Sequence, residues 1–260
     1  MATDFTRTRA MFDLPDGMIY LDGNSLGPLP RAVAARVQRT IADEWGQMLI
    51  TGWNKAGWMD QPARLGDRIA RLIGAEAGHV VLGDTLSIKV YQALASALEM
   101  NPQKRVILSD TGNFPSDLYM AEGLCRTLGP EYVLKTVAPE DVAGAIDANV
   151  AVLLLTEVDY RTGRRHDLPA LTARAHAAGA LAVWDLAHSA GATDVVVGAD
   201  LGCGQLPNKA FFDHELGESR ESPVLLQATM VVEAPTSLGQ IQPMQQFFVA
   251  ARAVQRIAQW

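Results

Sequence analysis

The chain has 260 residues, 48% of them hydrophobic, with 22 basic against 29 acidic side chains and a formal net charge of −7. That is enough apolar material for one large or two small globular domains, and the acidic balance excludes the basic footprint that nucleic acid or an anionic membrane surface requires. No apolar run approaches the roughly 20 residues of a membrane span, the N-terminus has no apolar signal core, and the expectation is a cytoplasmic protein.

Residues 18–21 read as a short strand entering a polar loop punctuated by Pro28 and Pro30. This arm feeds a helix over about 32–45, where Val33, Val37 and Ile41 recur at i, i+4 and i+8 as one apolar face. Trp53 and Trp58 follow in a Gly-containing loop, where such rings fill a packing or subunit interface. A regular alternation then begins. A helix carries Leu65, Ile69, Leu72 and Ile73, residues 79–82 form a strand, and residues 87–98 form a helix with Val90, Leu94 and Leu98 in register. Strands at 105–109, 132–137 and 150–158 alternate with helices at 115–128, 140–146 and 168–178, and a last strand begins at Leu181. Near-continuous apolar strands alternating with helices predict an α/β fold whose five strands share one mainly parallel sheet, covered on both faces. After residue 204 the alternation stops. Residues 205–260 carry Pro207, Pro223, Pro235 and Pro243, one helix over about 245–257, and two short apolar runs, Val224-Leu225-Leu226 and Met230-Val231-Val232. The expected organisation is an arm at 1–30, a large domain at 31–204, and a tail at 205–260 that packs poorly on it.

The strand from Leu181 ends abruptly in Asp185-Leu186-Ala187-His188-Ser189-Ala190-Gly191. In open α/β sheets ligands lie outside the carboxyl ends of the strands, so Asp185 and His188 face a crevice, unless Asp185 merely caps the following turn. Asp84-Thr85-Leu86-Ser87 lies at a helix N-terminus, where free amides and the helix dipole suit a phosphate, although Thr and Ser there are also ordinary N-caps. Asn113-Phe114-Pro115-Ser116-Asp117 follows another strand and sets an aromatic ring and polar groups over the same crevice; a core anchor at a turn is the alternative for Phe114. Thr156 adds a hydroxyl and the loop Tyr160-Arg161-Thr162-Gly163 a hydroxyl and a cation. A phosphate cup, a stacking ring, a hydroxyl and a carboxylate beside a histidine make up the set that pyridoxal 5'-phosphate needs. Cys125 and Cys203 form no CxxC pair and the five histidines are not spaced for a metal, so neither a disulfide framework nor a zinc site is expected.

From about Met18 to Gly204 the sequence resembles kynureninase, a member of the class V, fold type I pyridoxal phosphate enzymes. The resemblance rests on Tyr20-Leu21-Asp22-Gly23-Asn24-Ser25-Leu26-Gly27, the Trp53-Asn54 to Gly57-Trp58 loop, and the segments at 84–87, 114–117, 160–163 and 185–191, in that order. It implies a fold type I large domain, hydrolysis of L-kynurenine or 3-hydroxykynurenine in tryptophan catabolism, L-kynurenine giving anthranilate and L-alanine, and a homodimer. Carried over by position, it implies that Leu86 and Ser87 bind the phosphate, Phe114 stacks on the ring, and Pro115, Ser116, Asp117 and Thr156 help to hold the cofactor. Asp185 would pair with the pyridinium nitrogen, with His188 beside it. The family's Schiff-base lysine, flanked by tyrosines and followed by an Asn-Gly-Gly-Pro turn, has no counterpart beyond Gly204. Of Lys55, Lys89, Lys104, Lys135 and Lys209, only Lys209 stands at a similar remove from Asp185, and its polar setting supplies no pocket to lower its pKa. The chain is therefore expected to bind the cofactor weakly. Other class V enzymes, a cysteine desulfurase or an aminotransferase, and an inactive fragment or binding partner are the competing readings.

Overall fold

The computed structural model describes residues 5–195 and 230–233. They fall into two compact units, residues 5–65 and residues 66–195 with 230–233. The proposed domain boundary at 204, the helix at 245–257, Cys203 and Lys209 lie outside the described residues.

In the first unit a short helix, α1 (Phe5–Arg9), precedes two short antiparallel strands, β1 (Phe12–Asp13) and β2 (Leu29–Pro30). The strand expected at 18–21 is a loop instead, with Tyr20 Oη donating to the Leu26 carbonyl at 2.6 Å. The reason is local: a bend closed by its own hydrogen bonds presents no ladder edge. Helix α2 (Arg31–Arg39) continues through Thr40–Trp45 as a wider π turn. Within the described residues Val37 and Ile41 of its apolar face stand 49% and 54% exposed. Trp58 is half-buried, donating from Nε1 to Glu44 Oε2 at 2.8 Å with its ring edge-on to Trp53.

In the second unit, α3 (Gln61–Ile73, its first turn within the first unit) buries Ile69, Ala70 and Ile73 on one stripe. Gly66 on this helix lets the chain return closely, because a Cβ there would lie 1.9 Å from the Val80 carbonyl oxygen. Residues 79–82, expected to be a strand, are held against the helix in this way and form no ladder. Helix α4 (Leu86–Met100) buries Val90, Ala93, Leu94, Ala97 and Leu98, the i, i+3, i+4, i+7, i+8 stripe of an amphipathic helix.

Among the described residues a five-stranded sheet follows in the order β4-β3-β5-β6-β7. Strands β3 (Val106–Asp110), β4 (Val133–Val137), β5 (Val150–Thr156) and β6 (Leu181–Asp185) are parallel, and β7 (Met230–Glu233) is antiparallel to β6. Four of the five strands expected from the sequence therefore share the sheet, and the fifth place is taken by Met230–Glu233, a segment assigned to the tail. Strand β5 is buried at every position, as a central parallel strand must be. Each of its fully buried leucines contributes about 2 kcal/mol of hydrophobic stabilisation.

Helix α5 (Pro115–Leu128) begins with Pro at its first position and lies with α4 on one face, over Ile107, Val152, Leu154, Leu181 and Val183. Helix α6 (Leu168–Ala177) covers the other face, where Trp184 Nε1 donates to Thr172 Oγ1 at 2.9 Å. It ends in a Schellman turn: Gly179 has φ +70°, its amide bonds the His176 carbonyl at 2.9 Å, and the Ala180 amide bonds the Ala175 carbonyl at 2.8 Å. The Asn101 amide, just past α4, donates to the Ala151 and Gly179 carbonyls, so α4 ends at the starting edge of β5 and β6. Its N-terminus thus points to the carboxyl edge, as does that of α5.

Candidate functional site

Strand alternation fixes which face each polar end group takes. Val152, Leu154 and Val183 pack under α4 and α5, so Thr156 and Asp185, two residues further along, point to that face just past the core. Thr156 and Asp185 are also partners in the ladder. Asp185 is 1% exposed, and burial raises its pKa against the opposing pull of the Ala187 amide, His188 and the Thr156 hydroxyl. Its Oδ1 accepts from the Ala187 amide at 2.8 Å and its Oδ2 lies 3.2 Å from Thr156 Oγ1. Asp185 thus caps the turn, one of the two alternatives open in the sequence, and stands beside Thr156 at the strand ends.

Thr156 Oγ1 also contacts Asn113 Oδ1. One hydroxyl has one proton to donate. Thr156 can therefore serve only one of these two oxygens at a time. Asn113 is fixed in turn, with Nδ2 on Ser109 Oγ at 2.9 Å and Oδ1 receiving the Phe114 amide at 2.7 Å.

Asp117, in the first turn of α5, is fully buried and its Oδ2 has no hydrogen-bond partner. Burial, and then the charge of Asp185, push its pKa up to about 7, against a small lowering by Ser116. Ser116 Oγ is 3.4 Å from Asp117 Oδ1, and Pro115 is exposed. Phe114 lies edge-on to Tyr160, centroids 5.0 Å apart, and tilted against His188 at 6.0 Å. Tyr160 and His188 are nearly parallel, 6.2 Å apart, and His188 Nδ1 is buried without a partner. Phe114, Asp117, Thr156, Asp185 and His188 thus form one cluster.

Thr85, Leu86 and Ser87 stand at the N-terminus of α4, at the same edge and on the same face, with Leu86 packed on the core. Thr85 occupies the N-cap position with extended backbone but makes no side-chain capping bond. The first-turn amides of α4 keep their hydrogen-bonding capacity. Arg161, expected to bring a cation to the crevice, instead pairs with Asp159 at 3.3 Å.

A second polar cluster escaped the sequence reading. Asp110, Glu157 and His166 are all buried, with His166 Nε2 2.6 Å and Arg164 Nη2 3.4 Å from Asp110 Oδ2, and Arg165 Nε 2.7 Å from Glu157 Oε1. The legible signal was Glu157 directly after a buried strand apolar up to its final Thr156, and the basic run Arg164-Arg165-His166 directly after Gly163. Of the lysines, Lys89 near the start of α4 engages Asp84 at 3.6 Å and Gln92 at 3.1 Å, and Lys104 donates to the Ala178 and Gly179 carbonyls at the opposite edge. Among the described residues no group of acidic, histidine and cysteine side chains is arranged to hold a metal, and no helix is long and apolar enough to cross a membrane.

The fold is that of fold type I pyridoxal phosphate enzymes. A solved C-DES mutant, with glycine covalently linked to its pyridoxal phosphate cofactor, superposes with a TM-score of 0.56 at 15% identity, covering 75% of this chain and 52% of that one. Within this class the sequence relatives are kynureninases: that of Pseudomonas fluorescens is 53% identical over 205 residues (75% of this chain, 49% of the relative), and that of Burkholderia pseudomallei strain 1106a is 52% identical over 192 residues (72% and 46%). The resemblance to kynureninase is thereby shown over about three quarters of the chain, which spans about half the length of the curated relatives it matches. No family model matches.

Proposed function

We propose that the chain is a kynureninase-like, pyridoxal phosphate-binding hydrolase of C–C bonds, acting on L-kynurenine or 3-hydroxykynurenine and releasing anthranilate and L-alanine from the former, with turnover far below that of its curated relatives. The observation that carries this reading is the cluster around Asp185: two buried polar atoms, Asp117 Oδ2 and His188 Nδ1, have no partner in the protein, as expected where a polar ligand supplies one. The residues fit the cofactor. Asp185 would pair with the ring nitrogen and keep a proton on it, held in orientation by Thr156 and the Ala187 amide. Phe114 and His188 would line the ring, Asp117 and Ser116 would meet its polar substituents from the first turn of α5, with Pro115 holding that turn, and the amides of Leu86 and Ser87 would receive the phosphate. When bound, the cofactor supplies an electron-withdrawing ring to the bond being broken.

With Lys89 engaged by Asp84 and Gln92 and Lys104 by carbonyls at the opposite edge, Lys209 is the candidate at the family's remove from Asp185, and its sequence setting argues against that role. A homodimer in the cytoplasm belongs to the same reading, and the exposed apolar stripe of α2 supports a partner there. The test is to purify the chain with added cofactor, reduce with borohydride, map any labelled lysine and assay products. Anthranilate from L-kynurenine at a small fraction of a relative's rate, no alanine from L-cysteine and no stoichiometric label on Lys209 are expected. A full label with a family-like rate refutes the impaired-turnover reading, and desulfuration of L-cysteine refutes the kynureninase one.

A further inference from the structure

Strand β5 runs directly into a tight hairpin. Val158 bridges Arg165 antiparallel, the Asp159 amide bonds the Arg164 carbonyl at 2.9 Å, and the His166 amide bonds the Glu157 carbonyl at 2.9 Å. Gly163, at φ +70°, makes the turn that a side chain would strain. Asp159 Oδ1 gathers the amides of Arg161 at 2.8 Å and Thr162 at 3.3 Å, closing the tip from inside.

This hairpin is tied to both neighbouring strand ends. On the β3 side, His166 and Arg164 hold Asp110, whose Oδ1 also receives the Gly112 amide at 2.6 Å. On the β6 side, Arg165 joins buried Glu157 to the Asp194 carbonyl at 3.1 Å, beyond the turn that carries His188. The residue so immobilised is Tyr160. Its ring has the Arg161 guanidinium at 5.4 Å, His188 nearly parallel at 6.2 Å and Phe114 edge-on at 5.0 Å. These separations lie within the range of favourable aromatic contacts.

We propose that Tyr160 is a positioning residue: carried on the clamped hairpin, its ring sets the orientation of His188 and Phe114, the two rings facing the candidate cofactor site. The claim rests on the proposed function for its consequence but not for its geometry. Tyr160 touches the two rings, and it acts through them. Its hydroxyl makes none of these contacts, so the ring alone is needed. An aliphatic residue of similar size fills the space without fixing the two planes.

The experiment uses the full chain, with histidine ring carbons labelled, as the unsubstituted protein, Tyr160→Leu and Tyr160→Phe. Because Tyr160 is 47% exposed, both variants are expected to fold, and thermal midpoints check it. Without any cofactor, the His188 ring resonances should move and broaden in the Leu variant and return in the Phe variant. Equilibrium dialysis with pyridoxal phosphate should show affinity weakened about tenfold by Leu and unchanged within twofold by Phe. Unmoved His188 resonances in the Leu variant, or a Leu affinity within twofold of the unsubstituted chain, overturn the proposal. A His188 response in a protein that takes up no pyridoxal phosphate refutes the proposed function instead, and leaves the positioning of His188 by Tyr160 established.

Discussion

Two sets of buried acids sit at the carboxyl edge of one sheet, on opposite faces, and they are solvated differently by the protein. Under α6, Asp110 is surrounded by His166, Arg164 and the Gly112 amide; burial raises its pKa, but these partners outweigh it and hold the carboxyl below its ordinary range. Under α4 and α5, Asp117 and Asp185 have no cation in hydrogen-bonding contact, and burial drives both upward. The first arrangement sets a cation beside each acid, although Glu157 Oε2 keeps no hydrogen-bond partner, and it holds a hairpin. The second leaves acceptors and protons uncommitted, which costs stability and is the expected state of groups that await a ligand.

The largest expected effect is on the unpaired face. Since the folded pKa of Asp117 is about 7 against an ordinary 3.8, the stability associated with its protonated form is present below about pH 4 and lost as pH rises through 7. Asp117→Asn should remove that loss, raising stability above pH 7 by up to about 4 kcal/mol, read as a higher urea midpoint at pH 8 and little change at pH 4. An unchanged midpoint at pH 8 would mean that Asp117 is solvated after all. On the paired face the sign reverses. Asp110→Ala strips His166 and Arg164 of their partner and should cost about 3 kcal/mol at neutral pH. That penalty should shrink in acid as pH falls through the lowered pKa of Asp110, which urea titrations at two pH values would show. The smallest effect is at the junction: Thr156→Val removes the hydroxyl between Asn113 and Asp185 and should cost about 1 kcal/mol, with a further rise in the Asp185 pKa measurable by carboxyl carbon NMR.

The sequence was most legible where one physical requirement dominates. The apolar run of β5, the stripe of α4 and Pro at the start of α5 each admit one structure, and the observed elements are Val150–Thr156, Leu86–Met100 and Pro115–Leu128. Residues 79–82 have strand composition, but strand pairing is decided by a distant edge, and here Gly66 draws their backbone onto a helix. Asp185, His188, Thr156 and Asn113-Phe114-Pro115-Ser116-Asp117 stood out because they come at or just after the ends of apolar strands, where open α/β sheets hold their ligands. Asp110 and Glu157 satisfy the same criterion, but their partners Arg164, Arg165 and His166 return through a hairpin whose register is not written in any periodicity. The carboxyl edge is thus readable, and its division into a paired and an unpaired face depends on tertiary contacts.

The antiparallel pairing of Met230–Glu233 with β6, in which Met230 stands opposite Asp185, sets a limit on how this protein can be shortened. Without that short segment, the outer amides and carbonyls of β6 would be bared as a row of open hydrogen-bonding sites beside a buried strand, a template on which another chain can add. A version ending before residue 230 should therefore self-associate in the manner of exposed sheet borders, and Met230–Glu233 acts as a sealing strip along β6, whatever its part in chemistry.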